Sequence, residues 1–354
     1  MTNSVVRFQS IFKRATAIAL SISLVLPSPV WAWGAEGHEL VGAVADRLLK
    51  DTPAARRIES MLQGRTLAQV AGWADCLKNV NPDANFEYAN VGRYVDCKIF
   101  ENPEDMAKII AFVKRNHDSC FGMSLSRESC HKHYHYADLN LTQTRYAYLG
   151  FGSASEDIVQ AMQAAIEFLQ GRAVAEPFHF ANESEALLLL VHLVGDVHQP
   201  LHVAGVYLDD DGRMMDDIHE RAPQGKSAGG TAGGNALLFE QTNLHSMWDK
   251  ISPAVKENVW RNFETASAAP SSMMAMDSGE QIRGLPEMWA NENLQIAREL
   301  FKDVRFGKRT VTARGDRWNT ELPSGYQARL EKIQAERIHL AGRRLAALLS
   351  RIYS

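Results

Sequence analysis

Long apolar runs are missing from this chain. An early apolar stretch, Ala15 to Leu26, falls short of the roughly 20 residues that a membrane-spanning helix needs. No later segment is long and apolar enough either, so no stable membrane anchor is expected. An excess of positive charge is missing too. The 38 Lys and Arg residues face 42 Asp and Glu, for a net charge of −4 at pH 7. That argues against broad electrostatic capture of a polyanion; an anion must be held by a local site. Cysteine is scarce, with four residues and no C-x-x-C pair, which argues against a thiolate zinc knuckle. The loop at 205–234 holds Asp209, Asp210, Asp211, Asp216 and Asp217 without the ordered spacing of an EF-hand, so it reads as solvated loop rather than calcium site. No internal repeat and no clear domain boundary divide the chain.

What is present begins with a targeting pattern. Arg7, Lys13 and Arg14 form a basic region, Ala15 to Leu26 an apolar one, and Pro27 to Ala32 a short ending with Val30 and Ala32 at the small-residue positions before a cleavage site. Residues 1–32 therefore read as a cleaved signal peptide. The remainder, 33–354, is expected to be one secreted or periplasmic unit with Trp33 as its N-terminus and a net charge of −7. An even cysteine count in an exported chain suggests two disulfides among Cys76, Cys97, Cys120 and Cys130. Three pairings are possible and the sequence does not choose. The sequons at Asn140 and Asn182 would carry glycans only in a eukaryotic secretory pathway.

The pattern of apolar residues is mainly helical. Leu40, Val41, Val44, Leu48 and Leu49 recur at helical spacing just after His38. Similar stripes predict helices over 104–115, 155–171, 285–302 and 321–352. The central stretch is Glu185 to His202, EALLLLVHLVGDVHQPLH, with Asn182 and Glu185 spaced as a capping box. His192 and Asp196 lie four apart and so share a helix face. Pro200 should end or kink the helix and release His202 onto a new path. His245 and Asp249 repeat the same four-residue spacing. In the segment Cys130 to Asp138, alternation would place His131, His133 and His135 on one side of an extended strand. Imidazole and carboxylate are ordinary zinc ligands. Several such pairs point to more than one ion, a device suited to phosphoester hydrolysis.

Taken together, the motifs Trp-Gly-x-x-Gly-His at 33–38, WAD-x-x-K at 73–78, His-aromatic-x-Asp at 135–138, HLVGDVHQPLH at 192–202, GGN at 233–235 and NLHSMWD at 243–249 resemble the zinc-dependent single-strand nuclease family. That family, of the S-one/P-one type, is related in fold to bacterial zinc phospholipase C. The likeness runs from Trp33 into the final helix, through Pro286 to Ala290 and Ala341 to Leu349. It implies a mainly α, single multi-helix domain and three zinc ions. Asp75, His135, His192 and Asp196 would hold one. The Trp33 amino nitrogen and carbonyl oxygen, His38 and Asp196 would hold the second, with Asp196 as bridge. His202, His245 and Asp249 would hold the third.

The resemblance also makes Asp138 the group that orients or deprotonates the nucleophile; its plainer role is a carboxylate steadying His135. Lys78 would meet a phosphate and Asn235 a base edge or phosphate, against the plainer readings of surface lysine and turn residue. Tyr136 would stack on a base or pack in the core. His198 is taken as structural. The implied substrates are single-stranded DNA and RNA and 3′-nucleotides, with 5′-phosphate products and a monomeric enzyme. The alternatives are a phospholipase C-like phosphodiesterase and, in another class, a secreted zinc-binding structural protein.

Overall fold

The computed structural model describes residues 33–118, 129–215, 229–266, 282–313 and 315–353. Residues 1–32, read above as a signal peptide, and Cys120, Asp216 and Asp217 lie outside these residues.

The fold is mainly helical, as the apolar spacing predicts. Its main helices among the described residues are α1 (Ala35–Leu49), α2 (Pro53–Met61), α3 (Pro103–Arg115), α4 (Ile158–Leu169), α5 (Glu183–Val197), α6 (Leu244–Asp249), α7 (Pro253–Ala266), α8 (Leu285–Phe301) and α9 (Tyr326–Ile352). Side-chain caps set several starts. Asp157 accepts from the N–H groups of Val159 and Gln160 at α4, and Asn182 accepts from Glu185 N–H at α5. The full capping box does not form there, because Glu185 turns its carboxylate to Arg115 and to Ala181 N–H. A charged partner outcompetes the reciprocal bond.

Helix α5 runs through the middle of the core. From Ala186 to Val197 every residue but the half-buried Leu188 is buried. Each fully buried Leu contributes about 1.5–3 kcal/mol. Helices α1, α4 and α9 pack against it, and α1 in turn packs along α9. Gly342 permits that last contact, since a Cβ there would stand 2.5 Å from Val44 Cβ. No helix among the described residues is long and apolar enough to cross a membrane.

Two parts of the C-terminal third depart from the sequence reading. The final helix starts at Tyr326 rather than 321. Pro323 cannot supply a helical N–H, and Gly325 takes a left-handed φ of +76°. Ahead of it lies a hairpin that the charge-rich sequence hides, β3 (Arg305–Thr312) with β4 (Gly315–Glu321). These join β1 (Leu237–Phe239) and β2 (Thr242–Asn243) in a sheet of order β2-β1-β4-β3, with β1 and β4 parallel and the other pairs antiparallel. The acidic loop is fastened to this hairpin. Asp210 meets Arg309 at 2.8 Å and Asp211 meets Lys308 at 3.4 Å. Asp209 Oδ1 accepts from two backbone N–H groups of its own turn.

One disulfide joins Cys76 to Cys97, the pairing the sequence left open. Cys130 is disulfide-bonded as well.

Candidate metal centre

His192 and Asp196 are wholly buried in α5. Burying an imidazole and a carboxylate is costly without partners, so the core must supply them. The shared face predicted by their spacing puts His192 Nε2 3.2 Å from Asp196 Oδ2. His135 adds its Nδ1 at 3.0 Å from that oxygen and 3.2 Å from His192 Nε2. Asp75, on the short helix Trp73–Cys76, places Oδ1 at 3.9 and 3.8 Å from the two imidazole nitrogens. A tetrahedral ion with bonds near 2.0–2.2 Å separates its ligand atoms by about 3.4 Å. The five spacings fall on either side of that value.

The other oxygen of Asp196 serves a second group. His38 Nε2 stands 3.1 Å from Asp196 Oδ1, and the His38 ring stacks on His192 at 3.8 Å. Gly195 makes room for it, because a Cβ there would lie 2.6 Å from His38 Nδ1. Gly195→Ala should push His38 aside and lower stability by about 1–3 kcal/mol. Denaturant unfolding of the two proteins side by side measures this. Trp33 is fully buried beside the same turn, its indole N–H donating to Gly195 O at 2.8 Å. Gly34 N–H donates to Asp249 O at 3.0 Å.

The third group is His202, His245 and Asp249, with one donor atom from each lying within 4.8 Å of the others. Helix α5 stops at Val197, and the turn Pro200–His202 carries His202 off its axis, as Pro200 predicts. His245 and Asp249 share a face of α6, with His245 Nε2 3.7 Å from Asp249 Oδ2.

Backbone carbonyls fix the rings. His192 Nδ1–H donates to Ala71 O, His202 Nδ1–H to His135 O and His245 Nδ1–H to Gly233 O, each at 2.7 Å. A carbonyl only accepts, so each Nε2 is left as a bare lone pair facing the site. Those of His202 and His245, together with Asp196 Oδ1 and His38 Nε2, are buried with no hydrogen-bond partner. Nitrogen and oxygen donors without thiolate suit a divalent ion such as zinc.

Electrostatics agree for His38, His135 and His245; at His192 burial is outweighed by Asp196 and Asp75, which raise its pKa. Burial lowers His135 and His245 to about 3 and His38 to about 4, so these imidazoles are neutral, as ligands must be. Burial, with Asp75 and Asp196 nearby, pushes the Asp249 carboxyl well above its usual range. Such a cluster of buried carboxyls calls for a cation. A fourth set, Cys76, Asp96 and Cys97, has its sulfurs in the disulfide and offers no thiolate.

The other predicted residues are placed as follows. Lys78 is not a surface lysine: its Nζ contacts Asp75 Oδ1 at 2.5 Å. Asp138 is half-buried, with burial pushing its carboxyl up to about 6 against a bond from Gly233 N–H. Gly233 thus joins Asp138 to His245. Ala232, Gly233 and Gly234 all take positive φ, and a Cβ on Gly233 would stand 2.3 Å from Leu201 O. Asn235 closes this turn through its Nδ2 to Ala232 O, leaving Oδ1 buried and unpaired. Tyr136 is half-buried, its hydroxyl 3.2 Å from His133 Nδ1.

Cys130–His135 is a 3-10 turn, not an extended strand, so the three histidines diverge. His135 enters the site, His133 meets Tyr136, and His131 is buried apart with neither ring nitrogen paired. His198 is structural, held between Val194 O and Arg344. Sequence reasoning missed Asp96, whose carboxyl is raised to about 6 by burial and by Asp75. It also missed the carbonyls that aim the imidazoles, which no side-chain pattern announces.

The S1/P1 Nuclease family model matches residues 33–354. The chain belongs to the S1/P1 nuclease family. Endonuclease 1 of Arabidopsis thaliana is 24% identical over 364 residues, covering 98% of this chain and 96% of the relative. Endonuclease 4 of the same plant is 23% identical over 341 residues, covering 91% and 89%. Membership makes this S1/P1 protein an enzyme, a phosphodiester-cleaving nuclease, and its three buried donor groups are candidate metal sites.

Proposed function

We propose that this S1/P1 nuclease is an exported endonuclease that uses three zinc ions to hydrolyse single-stranded DNA and RNA to 5′-phosphate products, and that it also acts on 3′-nucleotides. The observation that carries the reading is Asp196, whose two oxygens face two different imidazole groups while His202, His245 and Asp249 form a third beside them. Asp75, His135, His192 and Asp196 would hold one ion. His38, Asp196 and the Trp33 amine and carbonyl would hold the second, and His202, His245 and Asp249 the third. Three protein ligands in that last group favour an open position for substrate over a closed structural site. Bound zinc supplies an activated water and neutralises charge developing on phosphate oxygens. Residues 33–354 act as one mature, monomeric unit after cleavage before Trp33.

The chain's own residues then bind and orient. Lys78, held by Asp75, offers its ammonium to a phosphate oxygen. Asp138 accepts a proton from the attacking water or aligns it, and its raised pKa suits proton transfer. Tyr136 offers a ring face to a base, and the unpaired Oδ1 of Asn235 accepts from a base edge.

Hydrolysis of single-stranded DNA, duplex DNA and a choline phospholipid, each with and without chelator, tests the reading. Chelator-sensitive cleavage of the single strand is expected, and turnover of lipid alone would overturn it. Asp138→Asn should lower kcat by roughly 100-fold or more with metal content unchanged. An unchanged kcat with a raised KM would move Asp138 from the chemistry to substrate binding.

A further inference from the structure

Gln199 lies between Asp196 and His202 in sequence and belongs to none of the three donor groups. It is fully buried. Its Nε2 donates to Asp249 Oδ1 at 3.2 Å, and its Oε1 accepts from Leu201 N–H at 2.6 Å. The first bond occupies Oδ1 and leaves Oδ2 facing His245 Nε2. The second caps the turn Pro200–His202. The backbone of Gln199 adds two more ties: its N–H donates to Asp196 O and its carbonyl accepts from His202 N–H, both at 2.9 Å. Asp249 in turn holds Gly34 through its own carbonyl. One residue thus touches the bridging aspartate, the turn that presents His202, and the carboxylate of Asp249.

The chemistry requires a primary amide. Its two ends do opposite jobs, donating to a carboxylate and accepting from a backbone N–H. Glutamate keeps only the acceptor, and methionine keeps neither while preserving bulk.

We infer that Gln199 is a positioning residue for the third donor group, its amide fixing which Asp249 oxygen faces His245 while capping the turn that presents His202. The inference rests on the metal reading above. Outer partners of metal ligands change affinity by roughly 10–100-fold, and Gln199 should act on one ion only.

The test uses purified mature protein, wild type, Gln199→Glu and Gln199→Met, loaded with zinc and dialysed against graded chelator. Zinc per chain is measured by elemental analysis, and the thermal midpoint is read on the metal-stripped forms. In both variants one ion should be released at roughly 10–100-fold lower chelator strength, with the other two unmoved. Gln199→Glu retains the Leu201 contact but sets a second carboxylate against Asp249, so its stripped form should melt below wild type while still folding; if Gln199→Met fails to fold, this variant alone decides. Wild-type retention of all ions by Gln199→Glu, or uniform loss of every ion, overturns the inference and leaves the metal reading standing. A wild type that never binds a third ion overturns the metal reading itself.

Discussion

A chain with two extra residues ahead of Trp33 should bind one zinc ion fewer and lose nearly all hydrolysis. The physical ground is the difference between an amine and an amide. A free α-amine offers a lone pair, whereas an amide nitrogen is a poor ligand. The structure leaves Trp33 little freedom to adapt: its side chain is fully buried, its indole is bonded to Gly195 O, and Gly34 is bonded to Asp249 O. A Cβ on Gly37 would stand 2.8 Å from Trp33 Cβ, so the start of α1 is closely packed as well. Losing an outer partner of a metal site costs roughly 10–100-fold, so losing a ligand should cost at least the upper figure. The comparison is between protein beginning at Trp33 and the same protein carrying Gly-Ser before it, with zinc per chain and rate on single-stranded DNA measured for both. An extended protein that is fully metallated and active would sink the amine assignment.

Asp196→Asn should cost more than any other single ligand change. Asparagine matches aspartate in size but offers one oxygen and no charge. Asp196 Oδ2 is 3.0 Å from His135 and 3.2 Å from His192, and Oδ1 is 3.1 Å from His38. Two ions should therefore be lost or weakened together, and activity should fall by well over the roughly 100-fold of an outer partner. Asp249→Asn is the control, since it should cost one ion. The Asn variant keeps the helical spacing and bulk of α5, so circular dichroism should be unchanged. Retention of all three ions by Asp196→Asn would end the bridging assignment.

Much of this centre is legible in the chain, and the reason is local. Four-residue spacing places His192 with Asp196 and His245 with Asp249 whatever the tertiary fold does. Pro200 turns the chain toward His202 for an equally local reason, its missing N–H. His131 shows the limit. Alternation in CHKHYH fits a strand, yet the segment winds as a 3-10 turn, and only His135 reaches the site. The hairpin of β3 and β4 was hidden by its charges, which are spent on Asp210, Asp211 and Asp316 rather than on alternation.

By itself the sequence determined the candidate donor types, their spacing and the helical class, because these follow from side-chain chemistry and periodicity. The tertiary structure decided which imidazole nitrogen faces the site, that Cys76 pairs with Cys97, and which oxygen of Asp196 faces which imidazoles. Those depend on atoms far away in the chain: Ala71 O aims His192 across 121 residues and His135 O aims His202 across 67. A carbonyl has no sequence signature, and only packing brings it within hydrogen-bond reach.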